Sequence, residues 1–371
     1  MKFFNSLIFK LISSLNNDHK DNWETGRYGP EAKSQTSNSF INKLGIINSR
    51  GYYHVEQIYH VLELLESTEL YDFQEELERS YSLLEDDQSR ILYVELIAYR
   101  ILGHRKVRIS AVEEKIKAYR KEVEKYIDLN NCIKSNWGNR DLYLHNFKYL
   151  NETLSLYLTK GGPLNAFFLK QYHCEVDENL NIGPEKGDVV LDCGGCWGDT
   201  TFEFATSVGP EGKVYVYEFI PFNNAVINKN IERNPNIADR IEVIDNAVWS
   251  ESGMNVYYVD NGPGSRVEFK PFSKMEGNAK TLSIDNLVQS QSIKKVSLIK
   301  MDIEGAEQAA LKGALGTIAE FKPKLAISIY HSLSDFASIT TWINSLELGY
   351  KFYVRHFTIH QEETVLFAAP A

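Results

Sequence analysis

Val189-Val190-Leu191-Asp192-Cys193-Gly194-Gly195-Cys196-Trp197-Gly198-Asp199-Thr200-Thr201 is the stretch that decides the fold. A short β-branched apolar run reads as a strand buried on both faces. Two glycines and a third at Gly198 then let the backbone turn sharply and come close to a ligand. A helix-forming segment follows, so the stretch is a strand–turn–helix unit of the kind that holds nucleotide cofactors. A phosphate-binding Walker loop needs a Lys followed by Ser or Thr, and this turn contains no Lys. A dinucleotide fingerprint ending at Gly198 would require glycine at 193, where Cys193 stands. The carboxylate of Asp192 instead closes the strand, which suits a cofactor bearing a cationic amino group.

Outward from this turn the chain alternates. Strand-like runs at 188–193, 213–219, 240–248, 296–302 and 324–330 are separated by helical intervals at 200–208, 223–234, 306–321 and 336–348. That alternation predicts a parallel sheet covered by helices on both faces. Two last strand-like runs, 351–357 and 364–369, are joined by too few residues for a crossover helix and are expected to form an antiparallel hairpin. The second strand ends in Tyr217-Glu218-Phe219, with Glu218 26 residues beyond Asp192. An acidic side chain there can accept from both ribose hydroxyls and repels a 2′-phosphate.

The first half reads differently. The chain has 371 residues, more than the about 250–300 at which a single core stops growing. Residues 1–15 place Phe4, Leu7, Ile8, Leu11 and Leu15 at helical spacing, with Lys10 interrupting a stretch too short to span a bilayer. A docking or membrane-surface helix is expected there, followed by a polar, flexible segment to residue 50. Residues 51–163 are read as an all-α domain preceding a 164–371 α/β domain, with Gly161-Gly162-Pro163 as the boundary. Val55, Ile58, Tyr59, Leu62 and Leu65 mark one helix, and Ile91, Val94, Ile97, Ala98 and Ile101 another. Ile109, Val112, Ile116, Tyr119, Val123 and Tyr126 form a heptad seam, either bundle packing or a homodimer contact.

The run from about Phe168 to Ala369 resembles the FkbM family of S-adenosylmethionine-dependent methyltransferases. Beyond the glycine turn the resemblance rests on Tyr217-Glu218-Phe219-Ile220-Pro221, Asn246-Ala247-Val248 and Thr281-Leu282-Ser283-Ile284-Asp285. Its most distinctive part is Ile299-Lys300-Met301-Asp302-Ile303-Glu304-Gly305-Ala306-Glu307, with Leu311-Lys312-Gly313-Ala314 one helix later. Two positions depart from the family: Gly195-Cys196 replaces a small residue and Asn, and Ser283 replaces Asp. The resemblance implies a Rossmann-like class I methyltransferase sheet. It also implies that Asp192 with Gly194, Gly195, Cys196, Trp197 and Gly198 holds the methionine end of the cofactor. Glu218 would hold the ribose, Phe219 would lie against the adenine, and Asp245, Asn246 and Ala247 would read the adenine edge. The reaction implied is O-methylation of a sugar, glycan or natural-product hydroxyl.

Methyl transfer to a hydroxyl needs a base, or a metal that lowers the hydroxyl pKa. Asp302, Glu304 and Lys300 lie at the end of the fourth strand, and His331 follows the fifth. Asp302, Glu304 and His331 are also the candidate ligands for a divalent ion, Mg²⁺ rather than Zn²⁺ for so oxygen-rich a set. Two other functions compete: a redox protein using Cys193-Gly194-Gly195-Cys196 as a C-x-x-C pair, and a non-catalytic scaffold. A net charge of −10 argues against duplex nucleic acid as partner and leaves a small-molecule or glycan acceptor. Four scattered cysteines, no disulfide framework and no transmembrane run suggest a cytoplasmic, possible membrane-peripheral location.

Overall fold

The computed structural model describes residues 2–15, 17–19, 72–109, 113–135, 137–138, 140–178 and 180–371. The helix expected around Val55 to Leu65, Val112 of the seam, and nearly all of the polar segment to residue 50 lie outside them. The chain forms two compact units: Met1–Ala118 with Ile329–Leu366, and Tyr119–Ser328 with Phe367–Ala371. Gly161-Gly162-Pro163, expected as the domain boundary, falls inside the second unit.

The N-terminal helices are α1 (Lys2–Ser14), α2 (Gln74–Leu83), α3 (Asp87–Leu102) and α4 (Glu113–Val123). Helix α1 buries Phe3, Leu7 and Leu11, one stripe at i, i+4 spacing, against α2 and α3. The Phe3 ring meets Tyr93 edge-on at 5.4 Å, and Lys10 Nζ reaches Glu95 Oε1 at 2.6 Å. The apolar stripe of α1 is therefore docked on protein. Ile109, Ile116 and Val123 of the heptad seam are buried within the chain, and Tyr119 packs its ring 5.6 Å from Phe168. The seam is used for internal packing.

The stretch after α4, read as helical, is a three-stranded antiparallel sheet: β1 (Ile127–Ile133), β2 (Leu142–Tyr149) and β3 (Glu152–Leu158). Leu142, Leu144 and then Leu154, Leu156, Leu158 recur with period two and are buried, whereas a helix would need three or four. The dense Leu and Tyr content masked that alternation. A short pair, β4 (Cys174–Glu175) and β5 (Asn181–Ile182), leads into the α/β part.

Its strands are β6 (Val189–Cys193), β7 (Lys213–Tyr217), β8 (Ile241–Ile244), β9 (Ala247–Val248), β10 (Asn255–Val259), β11 (Arg266–Glu268), β12 (Gly277–Leu282), β13 (Leu298–Met301) and β14 (Lys324–Ser328). Helices α5 (Asp199–Ser207), α6 (Pro221–Arg233), α7 (Ile284–Ser290), α8 (Glu307–Lys312) and α9 (Leu315–Phe321) intervene. Strands β14-β13-β6-β7-β8 pair in parallel, as the alternation predicts. The order reverses between β6 and β13, so the ligand crevice of such a sheet lies beyond their carboxyl ends. The chain from β9 to β12 forms a second sheet, β11-β10-β12-β9. The single helix expected over 306–321 breaks at Gly313, where a Cβ would stand 2.3 Å from the Trp249 carbonyl oxygen.

The chain ends in α10 (Leu333–Ser345), β15 (Tyr350–His356) and β16 (Thr364–Pro370); β15 and β16 are neighbours in strand order. Within the first unit α10 packs on α2, where Ser80 Oγ donates to the Ala337 carbonyl at 2.7 Å. Tyr93 Oη donates to the Phe336 carbonyl at 2.8 Å. Asp86 caps α3 by accepting from the Ser89 amide at 2.6 Å, and pairs with Arg355 Nη2 of β15 at 2.7 Å. One carboxylate thus ties a helix start to a strand far along the chain. Asp86→Ala should lower stability by about 1–2 kcal/mol, the range for a lost N-cap; urea unfolding checks it, and an unchanged midpoint would show the cap to be idle.

Candidate active site

The glycine turn is shaped by what it touches. Gly194 has φ +92°, and a Cβ on it would lie 2.0 Å from the Asp302 carbonyl oxygen. A Cβ longer by even one group at Gly195 has no room either: the first added carbon would stand 2.2 Å from Val216 Cγ2. These glycines let the end of β6 settle against β13 and β7 together. Cys196 takes φ +45°, a left-handed conformation that Asn tolerates better than Cys, so the departure from the family motif leaves strain in the turn. Gly198, at φ +92°, then opens α5.

Asp192 and Lys300 sit at facing register positions of β6 and β13 and are 0% and 2% exposed. Lys300 Nζ stands 3.0 Å from Asp192 Oδ1 and donates to the Gly194 carbonyl at 2.8 Å. Thr201 Oγ1 donates to the other Asp192 oxygen at 2.7 Å. The sequence suggests that Asp192 meets a ligand's cation; the structure already supplies one from Lys300. Burial alone pulls the Lys300 pKa down, but the carboxylates of Asp192 and Asp302 outweigh it and hold it above the ordinary lysine value. Lys300 is therefore a charged strut and not a proton acceptor. Asp302 itself is half-buried, with Oδ2 accepting from Tyr172 Oη at 2.7 Å, and Tyr172 Oη accepts from Gln171 Nε2 at 3.1 Å. Tyr172 and Gln171 carry no motif, so only the fold reveals them.

Two further carboxylates line the turn. Glu218 follows β7 and is 6% exposed; its Oε1 accepts from the amides of Phe219 and Ile220, each at 2.8 Å. Burial pushes its pKa up to about 7 against those hydrogen bonds. Asp199 starts α5, and burial raises it to about 6 although the Thr200 amide and Lys300 favour its charged form. Asp199 was not among the residues the motif singled out, yet an acid directly after the glycine turn was visible in the sequence. Asn224 Nδ2 joins the ends of two strands, donating to the Glu218 carbonyl at 2.9 Å and to Asp245 Oδ1 at 3.0 Å. Asp245 is exposed, Asn246 turns its amide to the Lys280 carbonyl at 3.1 Å, and Ala247 is buried in β9. Phe219 is half-buried with its ring 5.6 Å from Tyr258, edge to face, so one aromatic wall stands beside Glu218.

Glu304 is exposed at φ +56°, followed by Gly305 at φ +93°, and the Ile303 amide donates to Glu307 Oε1 at 2.8 Å as the chain turns into α8. His331 belongs to the other compact unit, where its ring lies 4.1 Å from that of Tyr330. The structure thus gathers Asp192, Asp199, Glu218, Lys300 and Asp302 around one turn. In the rival C-x-x-C reading Cys193 and Cys196 would need low thiol pKa values, but burial pushes both up, and both are free.

Replacing Lys300 by Met leaves the Asp192 carboxylate buried without its cation, a loss of about 3–5 kcal/mol. Adding Asp192→Leu to that variant should recover much of the loss in a denaturant titration. A double variant no more stable than Lys300→Met alone would mean that the pair does not hold the two strands.

Residues 181–352 match the family model described as Methyltransferase FkbM domain. No curated protein sequence matches the chain. Among solved structures it is similar to the methyltransferase FkbM from Methylobacillus flagellatus, with 19% identity, a TM-score of 0.50 and 81% of this chain covered. The chain spans only 60% of that protein's length, and at this identity the likeness is one of fold. Fibrillarin from Aeropyrum pernix, solved with S-adenosyl-L-methionine, matches at 14% identity over 62% of this chain and 90% of its own, with a TM-score of 0.36. An O-methyltransferase from Thermotoga maritima matches at 14% over 51% of this chain and 62% of its own, with a TM-score of 0.32. The segment that the glycine turn organises, residues 181–352, is thus the part of the chain that is similar to the FkbM methyltransferase domain.

Proposed function

We propose that the chain is an S-adenosylmethionine-dependent O-methyltransferase acting on a hydroxyl of a sugar, glycan or natural product. The observation that carries the reading is the pair of carboxylates around one turn, half-buried Asp199 and buried Glu218, each held above its ordinary pKa, beside glycines with no room for a Cβ. Such groups suit a ligand with an amino group and a ribose, because each donor relieves a buried carboxylate. Bound S-adenosylmethionine supplies an electrophilic methyl group. Asp199 would take the amino group, Glu218 the ribose hydroxyls, and Phe219 with Tyr258 would border the base. Lys300, Asp192 and Thr201 hold the turn in shape.

Asp302 is the base in this reading. Its carboxylate follows β13, and Tyr172 fixes its orientation by one hydrogen bond. A divalent ion on Asp302 and Glu304 is the other way to lower the hydroxyl pKa, and Mg²⁺ suits two carboxylates. The four cysteines are free, which fits a reducing compartment such as the cytoplasm. Among the described residues no helix is long and apolar enough to cross a membrane.

Because ionised Glu218 is a stronger acceptor for the cofactor hydroxyls than the neutral acid, affinity for S-adenosylmethionine should rise as pH passes through about 7. Calorimetry tests this: Glu218→Gln should weaken binding and leave only the lower part of the rise, set by Asp199 near 6. No heat at millimolar cofactor would favour a non-catalytic scaffold. A methyl-transfer assay across candidate sugars, with and without chelator, tests the chemistry. Asp302→Ala should abolish turnover while cofactor binding stays measurable; retained turnover would move the base elsewhere, and loss on chelation would assign the role to a metal.

A further inference from the structure

Trp197 lies in the glycine turn, yet its side chain leaves that turn and is 6% exposed between two loops. The loop joining β1 to β2 carries Trp137, whose ring centroid is 5.8 Å from that of Trp197. The loop after β10 brings in Gly262, where a Cβ would stand 2.9 Å from Trp137 and 3.2 Å from Trp197 Cζ2. That second loop is held by the Gly262 amide donating to Asp260 Oδ1 at 3.0 Å and by Ser265 Oγ donating to the Gly262 carbonyl at 2.7 Å.

Packing leaves two features of this corner unexplained. The buried Trp197 Nε1–H has no acceptor among the described residues, although a buried indole N–H ordinarily finds one. Arg140 lies with its guanidinium 4.1 Å above the Trp137 ring, a stacking that fixes its orientation. Among the described residues it makes no ion pair, in a chain whose net charge is −10. The nearby Asp141 is occupied by Lys134 at 2.6 Å, and Asp260 by the Gly262 amide. An oriented guanidinium and an unused indole donor on one aromatic corner are the parts of a site for an oxyanion carried on a ring.

We propose that this corner is the acceptor's subsite for an anionic group, a carboxylate or phosphate on a sugar. Arg140 holds the anion, Trp197 Nε1–H donates to a neighbouring oxygen, and Trp137 orients the guanidinium. The proposal rests on the methyltransferase reading, since an acceptor reaching the donor turn comes in beside the residue that leaves it.

The test uses the full chain loaded with S-adenosylhomocysteine and titrated with methyl glucuronide, glucose 6-phosphate and methyl glucoside, followed by tryptophan fluorescence and calorimetry. At least one anionic sugar should bind about tenfold tighter than the neutral one, as one charge-assisted contact implies. The arm that wins distinguishes carboxylate from phosphate. Arg140→Gln should remove the preference while its melting curve and S-adenosylhomocysteine affinity match the parent. Equal affinities, no sugar binding, or a preference that survives Arg140→Gln would overturn the subsite. Failure of S-adenosylhomocysteine to bind, measured before sugar is added, would strike the methyltransferase reading instead.

Discussion

Lys300 and Asp192 face each other across two adjacent strands, both nearly or fully buried, and the candidate site is built outward from them. A buried ion pair is seldom a net gain in stability over apolar residues of the same size. Its value here is positional. The ammonium that neutralises Asp192 also grips the Gly194 carbonyl, so the glycine turn is fixed to the strand that leads into Asp302. Thr201 completes the clamp from the helix side. The glycine turn and the proposed base thus share one rigid support, as the proposed transfer between two bound molecules would require.

Strain and buried charge concentrate around that support. Cys196 and Glu304 both adopt left-handed backbone, and the pKa values of the Asp199 and Glu218 carboxylates are raised by desolvation. Each is unfavourable in the ligand-free protein and each lies at the carboxyl end of the parallel sheet. Sites accumulate such costs when the surrounding core over-determines their geometry. The core does so here through five parallel strands whose central members are fully buried.

Much of the α/β half was legible in the sequence because its signals are local. The strand–glycine–helix order, the acid at Glu218 and the Asp302 run each declare themselves within a few residues, and the parallel strand order follows from alternation. The β1–β3 sheet was not legible: its period-two pattern sits among Leu, Tyr and Glu that also form good helices, and propensity is a weak guide when tertiary pairing decides. Nor were the contact of Tyr172 with Asp302 and the partner of Asp192. Those contacts join residues more than a hundred positions apart, and no spacing rule reaches them. The role of Asp192 shows the limit most clearly. Its place at the strand end was readable, but the cation it meets belongs to the protein.

The division of the chain carries a consequence for its synthesis. The first unit combines residues 1–118 with 329–366, and the second closes with the final strand residues, 367–371. Ser80 waits 257 positions for the Ala337 carbonyl, and Ser89 waits 265 for Val354. During translation α2 and α3 therefore emerge well before their partners in α10 and β15. Long-range closure of this kind is slow and leaves hydrophobic surface exposed meanwhile. The first unit can therefore complete its core only after the α/β segment inserted within it has been synthesised.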